Sequence, residues 1–520
     1  MDICSPSTGW AWPKPVSRSL ATLSTTVMSS AAIISAAMIS TAIISTVIIL
    51  TGIISVGLSS TGALAAEGLR PNIVLVMADD QGWGETGYNG HPQLKTPVLD
   101  EMARSGLRLD RFYSAHVNCS PTRTSVLTGR HPVRSGVFGP NWSTRPEEIT
   151  IAQILKTAGY RTGHFGKWHV GAVKAASPTN PARMGFDEYL SHDNFFELNP
   201  VLSRNGADPQ KFPGESSQIV VAAATEFIRQ AHADQRPFFT VVWFGSPHTP
   251  YSGLSEDVAQ YAAIENEALR NRLTEISAMD RAVGTLRQSL RELDVANNTL
   301  LWYCSDNGIG HDPKQSFNGP WREKKGSIYE GGVRVPAIIE WPAVVKTPQV
   351  TSVPCVTSDI LPTLLELLAL QSPAPERPLD GISLKRLIVD RDFPARPKPI
   401  GFWKYAAGGE PKNPRWMPRE LTKGTTPTVT NAAIDFQNYQ HPVARMEKFD
   451  GEAAWTDNRY KLVIRGKESR QKAELYDLIA DPSEASDVAM DNPDILKRMT
   501  DQLQAWQRSV EHSLTGADYK

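Results

Sequence analysis

The sequence predicts an α/β fold, a large and mostly parallel mixed sheet sandwiched by helices, followed by a smaller C-terminal α+β subdomain with a four-stranded antiparallel sheet and a helix. Three observations carry this expectation. Short β-branched apolar runs alternate with amphipathic helical patterns through the first two thirds of the chain. Polar, acid-bearing clusters directly follow several of those runs, at the place where open α/β sheets hold their ligands. After a Pro-rich stretch at 375–399 the pattern changes to short strands and a terminal helix.

Taken in order, the first segment stands outside the fold. Lys14 and Arg18 precede an uncharged stretch, Ser19 to Ala66, built on the pentads AAIIS, AAMIS, TAIIS, TVIIL and TGIIS and ending at Ala63-Leu64-Ala65-Ala66-Glu67. A basic start, an apolar middle and an A-x-A site predict an export signal. Retention as a membrane anchor is the other reading, since the apolar part is long enough to span a bilayer. In both cases the remainder is exported, periplasmic or secreted, and a membrane is a partner only if the segment is retained. The expected division is 1–66 signal or anchor, 67–395 catalytic α/β domain and 396–520 C-terminal subdomain.

Asn72 to Ala78 (NIVLVMA) reads as a buried parallel strand. Pro97 to Arg104 reads as a helix closed by Gly106. Thr150-x-x-Gln153 is a capping box opening the helix of Ile151 to Ala158, stopped by Gly159. Phe238 to Phe244 and Thr299 to Cys304 are further strands. Between them Leu273, Ile276, Met279, Val283, Leu286, Leu290 and Leu293 keep a 3,4 spacing, the core stripe of a long helix. Arg459 to Ile464 and Glu474 to Leu478 predict the small antiparallel sheet, and Pro493 to Val510 the last helix.

Composition sets limits on function. With 21% charged and 41% hydrophobic residues and a formal net charge of -1, the chain is an ordinary globular protein. It has no basic excess of the kind that serves nucleic acid, so none is expected as a partner. Of four cysteines, Cys4 lies in the leader, leaving Cys119, Cys304 and Cys355. An odd number cannot pair completely, so at least one cysteine needs another reason to be there.

Two acid pairs follow strands: Asp79-Asp80 and Asp306-Asn307. Unpaired charges are costly to bury, and four oxygen-bearing side chains at adjacent strand ends suit a hard cation, Ca²⁺ or Mg²⁺, better than zinc. Helix capping and Asx-turns are the alternative use of such residues. Cys119 precedes Ser120-Pro121 and then Thr122 to Arg130, a predicted helix with Pro in its first turn. There the helix dipole is expected to lower its thiol pKa; a small buried hydrophobe is the plainer reading.

Cys119-Ser120-Pro121-Thr122-Arg123, followed by Leu127-Thr128-Gly129-Arg130, resembles the signature of the type I sulfatases of the alkaline phosphatase superfamily. The resemblance continues in Asn72 to Gly84, in Gly166-Lys167-Trp168-His169, in Ser305-Asp306-Asn307-Gly308, in Lys325 to Pro336 and in the runs at Asp359 and Glu474, so it spans nearly the whole chain after Arg70. In that family the cysteine is oxidised to formylglycine (3-oxoalanine), whose hydrated aldehyde is the nucleophile, and a maturing enzyme performs the oxidation. The resemblance implies that Asp79, Asp80, Asp306 and Asn307 bind one Ca²⁺ (Mg²⁺ in second place). It further implies that Arg123 orients the nucleophile, that Lys167 and Lys325 hold sulfate, that His169 accepts a proton and that His248 protonates the leaving alcohol. Lys324 competes with Lys325 for its role. Gln81 and Glu85 stand where many members carry leucine and aspartate.

The expected function is therefore hydrolysis of sulfate monoesters, of the arylsulfatase-like kind, on a sulfated small molecule or carbohydrate. The other readings are a phosphonate or phosphate ester hydrolase of the same superfamily and a catalytically silent sulfate-ester binding protein.

Overall fold

Every second residue of Asn72–Ala78 faces one side of a ten-stranded sheet, and both sides are covered. Ile73, Leu75 and Met77 pack with Ile151, Leu155, Ile360 and Leu364. Val74, Val76 and Ala78 pack with Leu99, Met102, Val220, Leu273 and Ile276. This two-sided burial explains why the run is apolar without alternation. The computed structural model describes residues 70–312, 316–406, 414–429, 431–440, 449–466 and 471–520. The predicted export or anchor segment, 1–66, lies outside them. Among the described residues no helix is long and apolar enough to cross a membrane.

From one edge to the other, the sheet runs Gln349–Thr351, Leu107–Leu109, Ala337–Glu340, Thr299–Ser305, Asn72–Ala78, Phe238–Trp243, Arg161–Lys167, Glu188–His192, Val201–Arg204 and Gln210–Lys211. The central strands are parallel, Thr299–Ser305 to Glu188–His192, and antiparallel partners flank them. This is the predicted mixed, mostly parallel sheet. The predicted long helix is Glu267–Glu292, with Leu273, Ile276, Met279, Val283, Leu286 and Leu290 buried along one stripe. The capping box at Thr150 and Gln153 forms as expected.

The C-terminal part is the predicted four-stranded antiparallel sheet, in the order Ile400–Tyr405, Gly451–Thr456, Tyr460–Arg465 and Lys472–Asp477. Helix Pro493–Leu514 covers one face, with Met499, Leu503, Trp506 and Val510 against Trp403, Trp455 and Leu462. The other face (Phe402, Ala454, Val463, Tyr476) packs on Tyr113, Val117, Ile328 and Tyr329, the segments that flank Cys119 and follow Lys325. The small sheet thus buttresses the candidate site. The Pro-rich stretch before it is more than a connection: Leu384, Leu387 and Ile388 enter the main core, and Arg396 clamps Asp359 at 2.7 and 2.9 Å.

His131 sits in this seam, its ring edge-on to Trp506, and neither ring nitrogen has a hydrogen-bond partner. Burial pulls its pKa from 6.5 down to about 3. The unfolded chain therefore binds the proton more tightly, and His131 costs the fold nothing above pH 6.5 but increasingly destabilises it as pH falls from there towards 3. We expect His131→Gln to gain stability relative to the unsubstituted protein by roughly 1.4 kcal/mol per pH unit over that window. Paired denaturant titrations at pH 7 and pH 5 would show it, and parallel pH dependences would refute it.

Candidate active site

Strand register brings the predicted residues together. Ala78 pairs with Ser305, so the acids that follow, Asp79 and Asp306, leave neighbouring strands side by side. Gly166 pairs with Trp243, which sets Lys167 and His169 beside the loop that carries His248. All four groups thus sit at the carboxyl ends of four adjacent parallel strands, where α/β sheets bind ligands. Gly166 is required by its surroundings: its φ is +107°, and a Cβ there would lie 1.9 Å from Trp243 O. Asp80, Asn141 and His169 have φ of 70°, 62° and 55°, and such clustered left-handed residues mark a site held in place by its surroundings.

Asp79, Asp80, Asp306 and Asn307 are all buried. Asp306 Oδ1 accepts from the Asp80 backbone N–H (3.1 Å), and Asn307 Nδ2 donates to Asp80 Oδ1 (2.8 Å). Asp79 Oδ1 and Asn307 Oδ1 are buried with no hydrogen-bond partner. Asp79 Oδ1 meets Arg123 Nη2 only as an ion pair at 3.7 Å, and two buried acceptor oxygens without hydrogen bonds fit a hard divalent cation. Asp79, Asp80, Cys119 and His248 each offer a ligand atom within 4.8 Å of the others. Asp306 stands outside that group, and its Oδ2 is held by Arg123 through Nε (3.1 Å) and Nη2 (2.7 Å). Burial, reinforced by Asp79, raises the Asp306 pKa to about 6. Burial would also raise Asp80, but Lys325, then His248 and Lys167, hold it well below the usual carboxylate range.

Cys119 itself opens the helix Cys119–Thr128, with Pro121 in the first turn as expected. Its Sγ is 4.0 Å from Asp80 Oδ1. The expected low thiol pKa is not found. Burial pushes it up to about 12 even though Lys167 and Lys325 pull the other way. Desolvation outweighs the helix terminus here, and the thiol is a poor nucleophile at neutral pH. Cys304 and Cys355 are also buried and free.

Arg123 is fully buried, donates to Lys167 O (3.1 Å) and lies over the Trp243 ring. Lys167 Nζ donates to Asp79 Oδ2 (2.6 Å), and Lys325 Nζ to Asp80 Oδ2 (2.8 Å). Lys324 is exposed, so Lys325 is the lysine brought to the site. Its loop is fixed by Lys325 N–H to Ile309 O and Gly326 N–H to Val117 O, both 3.0 Å. His248 hydrogen-bonds Thr249 O through Nδ1 (2.6 Å), leaving Nε2 facing Asp80 Oδ2 at 3.7 Å. Burial lowers its pKa to about 3. Burial, with Lys167 and Arg123 nearby, also places His169 well below the usual imidazole range.

The sulfatase family profile matches residues 71–370. The chain belongs to the sulfatase family. It is 34% identical over 365 residues to N-acetylgalactosamine-6-sulfatase of Mus musculus, covering 63% of this chain and 68% of that one. It is also 34% identical over 354 residues to arylsulfatase A of Homo sapiens, covering 61% and 68%. Among solved structures it resembles Ps i-CgsB in complex with k-i-k-neocarrahexaose, with TM-score 0.71, 25% identity and 86% and 96% of the two chains covered.

In this sulfatase several site-building residues carried no sequence signal. Fully buried Arg272 forks onto Glu85 (2.6 Å to each oxygen) and donates to Asp80 O and Pro247 O, both 2.7 Å. It therefore ties the loop of the first acid pair to the loop of His248. Glu85, noted in the sequence only as a departure, is its counter-ion. Phe195 stacks on the His248 ring at 4.2 Å, and Asn141 meets His169 (2.7 Å). His116 and His164 are both buried; His164 bonds Ser191 Oγ.

Proposed function

We propose that this sulfatase hydrolyses a sulfate monoester of a carbohydrate, with Cys119 converted to formylglycine and one Ca²⁺ bound by Asp79, Asp80, Asp306 and Asn307. The observation that carries the reading is the pair of buried oxygens without hydrogen bonds, Asp79 Oδ1 and Asn307 Oδ1, with Cys119 Sγ 4.0 Å from Asp80 Oδ1. Three cations (Arg123, Lys167, Lys325) face three carboxylates (Asp79, Asp80, Asp306), so a divalent ion gives the cleft a surplus of positive charge, suited to an anionic ester. The ion supplies Lewis-acid charge at sulfate oxygens, and the oxidised residue supplies an oxygen nucleophile with two exchangeable hydroxyls.

The remaining steps belong to the chain's own side chains. Lys167 and Lys325 hold the sulfate oxygens where charge develops. Arg123, locked by Asp306, orients the nucleophile. His248 presents Nε2 to the departing alcohol; because its neutral ring carries the hydrogen on Nδ1, bonded to Thr249 O, it serves as the acid only after Nε2 takes up a proton, and His169 accepts one. Beyond His248, a cavity of about 700 Å³ lined by Tyr251, Asn271, Gly310 and His311 offers hydrogen-bonding and aromatic groups to a saccharide leaving group. The relatives, one an N-acetylgalactosamine-6-sulfatase and one solved in complex with k-i-k-neocarrahexaose, support that class. Export through residues 1–66 belongs to the same proposal, and N-terminal sequencing of native-host protein would test it.

Parallel kinetics on aryl sulfate, sulfated saccharide and aryl phosphonate esters decide the reading. Sulfate turnover should dominate, whereas a strong phosphonate preference would sink it. Intact-peptide mass spectrometry of protein from a host with the maturing enzyme should find Cys119 as formylglycine; thiol alone would favour a silent binding protein. For the metal, Asp306→Ala should lower occupancy at least about tenfold, read by elemental analysis. Unchanged metal content would remove Asp306 from the ligand set.

A further inference from the structure

Asn141 lies on the 139–142 turn, between the Cys119 helix and the His169 loop, and is held from four sides. Its backbone N–H donates to Ser120 Oγ (3.1 Å), next to Cys119. Its carbonyl accepts from Gln437 N–H (2.8 Å), and Asn194 Nδ2 donates to its Oδ1 (3.3 Å). The same Oδ1 lies 2.7 Å from His169 Nε2. The backbone φ of 62° is one that asparagine tolerates better than most residues. His169 is just as fixed: its own φ is positive, its N–H donates to Asp193 O (3.1 Å), and Phe436 packs edge-on to its ring. The other ring nitrogen, Nδ1, is buried and has no hydrogen-bond partner.

We infer that Asn141 is a positioning residue that sets the tautomer of His169: its Oδ1 accepts the Nε2–H, leaving the Nδ1 lone pair as the free site for a proton. The inference rests on the proposed role of His169 as a proton acceptor. The physical argument is an asymmetry between donors and acceptors. Were the Asn141 amide turned so that its NH₂ met Nε2, the neutral ring would carry its hydrogen on Nδ1, as a buried donor with nothing to bond. Orphaned buried N–H groups are rare and costly. An unprotonated Nδ1 leaves only a lone pair unmet, and a lone pair is what a base needs. A proton accepted at Nδ1 gives an imidazolium with donors at both nitrogens, one still held by Asn141 Oδ1; transfer to water restores the neutral ring. Asn141 contributes geometry and tautomer and touches no reacting atom.

The test reads the tautomer directly, in protein whose Cys119 is still a thiol. Two-bond ¹H–¹⁵N spectra of histidine-labelled protein, with His169 assigned by its loss in His169→Gln, should show hydrogen on Nε2. Asn141→Gly suits the positive φ and removes the acceptor, so it should shift His169 towards a tautomer mixture. Asn141→Asp keeps an acceptor and should keep Nε2–H. In matured protein, Asn141→Gly should lower kcat about 100-fold with KM little changed, and Asn141→Asp should recover most of that loss. Hydrogen on Nδ1 in the unsubstituted protein, or an unchanged tautomer in Asn141→Gly, would overturn the inference. Failure of the matured, unsubstituted protein to turn over any sulfate ester would instead overturn the functional reading, with the spectra still deciding the tautomer.

Discussion

Cys119→Ala will abolish sulfate-ester turnover, by on the order of 10⁴- to 10⁶-fold in kcat, and leave the fold intact. The two effects separate because Cys119 does little for stability. Its thiol is buried, and its Sγ lies 4.0 Å from Asp80 Oδ1, too distant to count as a strong hydrogen bond. Losing one sulfur atom costs about 1 kcal/mol of burial, a shift of roughly 3 °C or less in thermal midpoint for a chain of this size. Cys119→Ser sharpens the result. It supplies one hydroxyl where the oxidised residue supplies two, so it should release at most one alcohol per chain and then stop. Continued turnover by either variant would remove Cys119 as the nucleophile. A collapse in midpoint would mean that the residue is structural.

Three central strands, Asn72–Ala78, Phe238–Trp243 and Thr299–Ser305, were legible in the sequence because they are buried on both faces and read as unbroken apolar runs. Arg161–Lys167 and Glu188–His192, which carry polar and charged residues, were not. The acid pairs and His248 were legible because they sit directly after those apolar runs. Asp79 and Asp306 are 227 residues apart in sequence, yet the Ala78–Ser305 pairing makes them neighbours, and the strand-then-acid form is visible at both places. Short-range geometry was less legible. The helix runs Cys119–Thr128 where the sequence placed it at 122–130, although Pro121 in its first turn was expected, since its missing N–H has no helical partner to lose there. The thiol pKa went the opposite way from expectation because total burial outweighs a helix terminus, and burial is a property of the whole packed structure. Arg272 was illegible for a related reason. It sits one residue before Leu273 on an amphipathic helix, where a charge normally faces solvent, and its carboxylate partner, Glu85, lies 187 residues away.

Lys461→Met will destabilise the protein by about 3–5 kcal/mol near pH 8, although Lys461 lies outside the active site. Its ammonium is fully buried between Glu330 Oε1 (2.9 Å) and Glu484 Oε1 (3.0 Å). Tyr113 and Arg334 also donate to Glu330, and Glu484 Oε2 accepts the Glu330 backbone N–H (2.6 Å). Burial raises the Glu484 pKa to about 7, Lys461 opposing it and Glu330 adding to it. Burial would also raise Glu330, but Lys461, Arg334 and Arg111 hold it low. With the ammonium gone, two carboxylates face each other in a dry seam, and the least costly remedy is a proton. A carboxyl whose folded pKa exceeds its unfolded value gains stability as pH falls, so the deficit of Lys461→Met should narrow between pH 8 and pH 6. Adding Glu484→Gln removes one of the stranded charges and should recover at least half of the loss. The consequence reaches the cleft because Glu330 follows the loop of Lys325 and Lys461 belongs to the small sheet packed behind that loop. KM for the sulfate ester should therefore rise in Lys461→Met even at temperatures where the fold survives. A denaturant midpoint equal to the unsubstituted protein at pH 8 would show that the seam is wet and that the ion network holds nothing together.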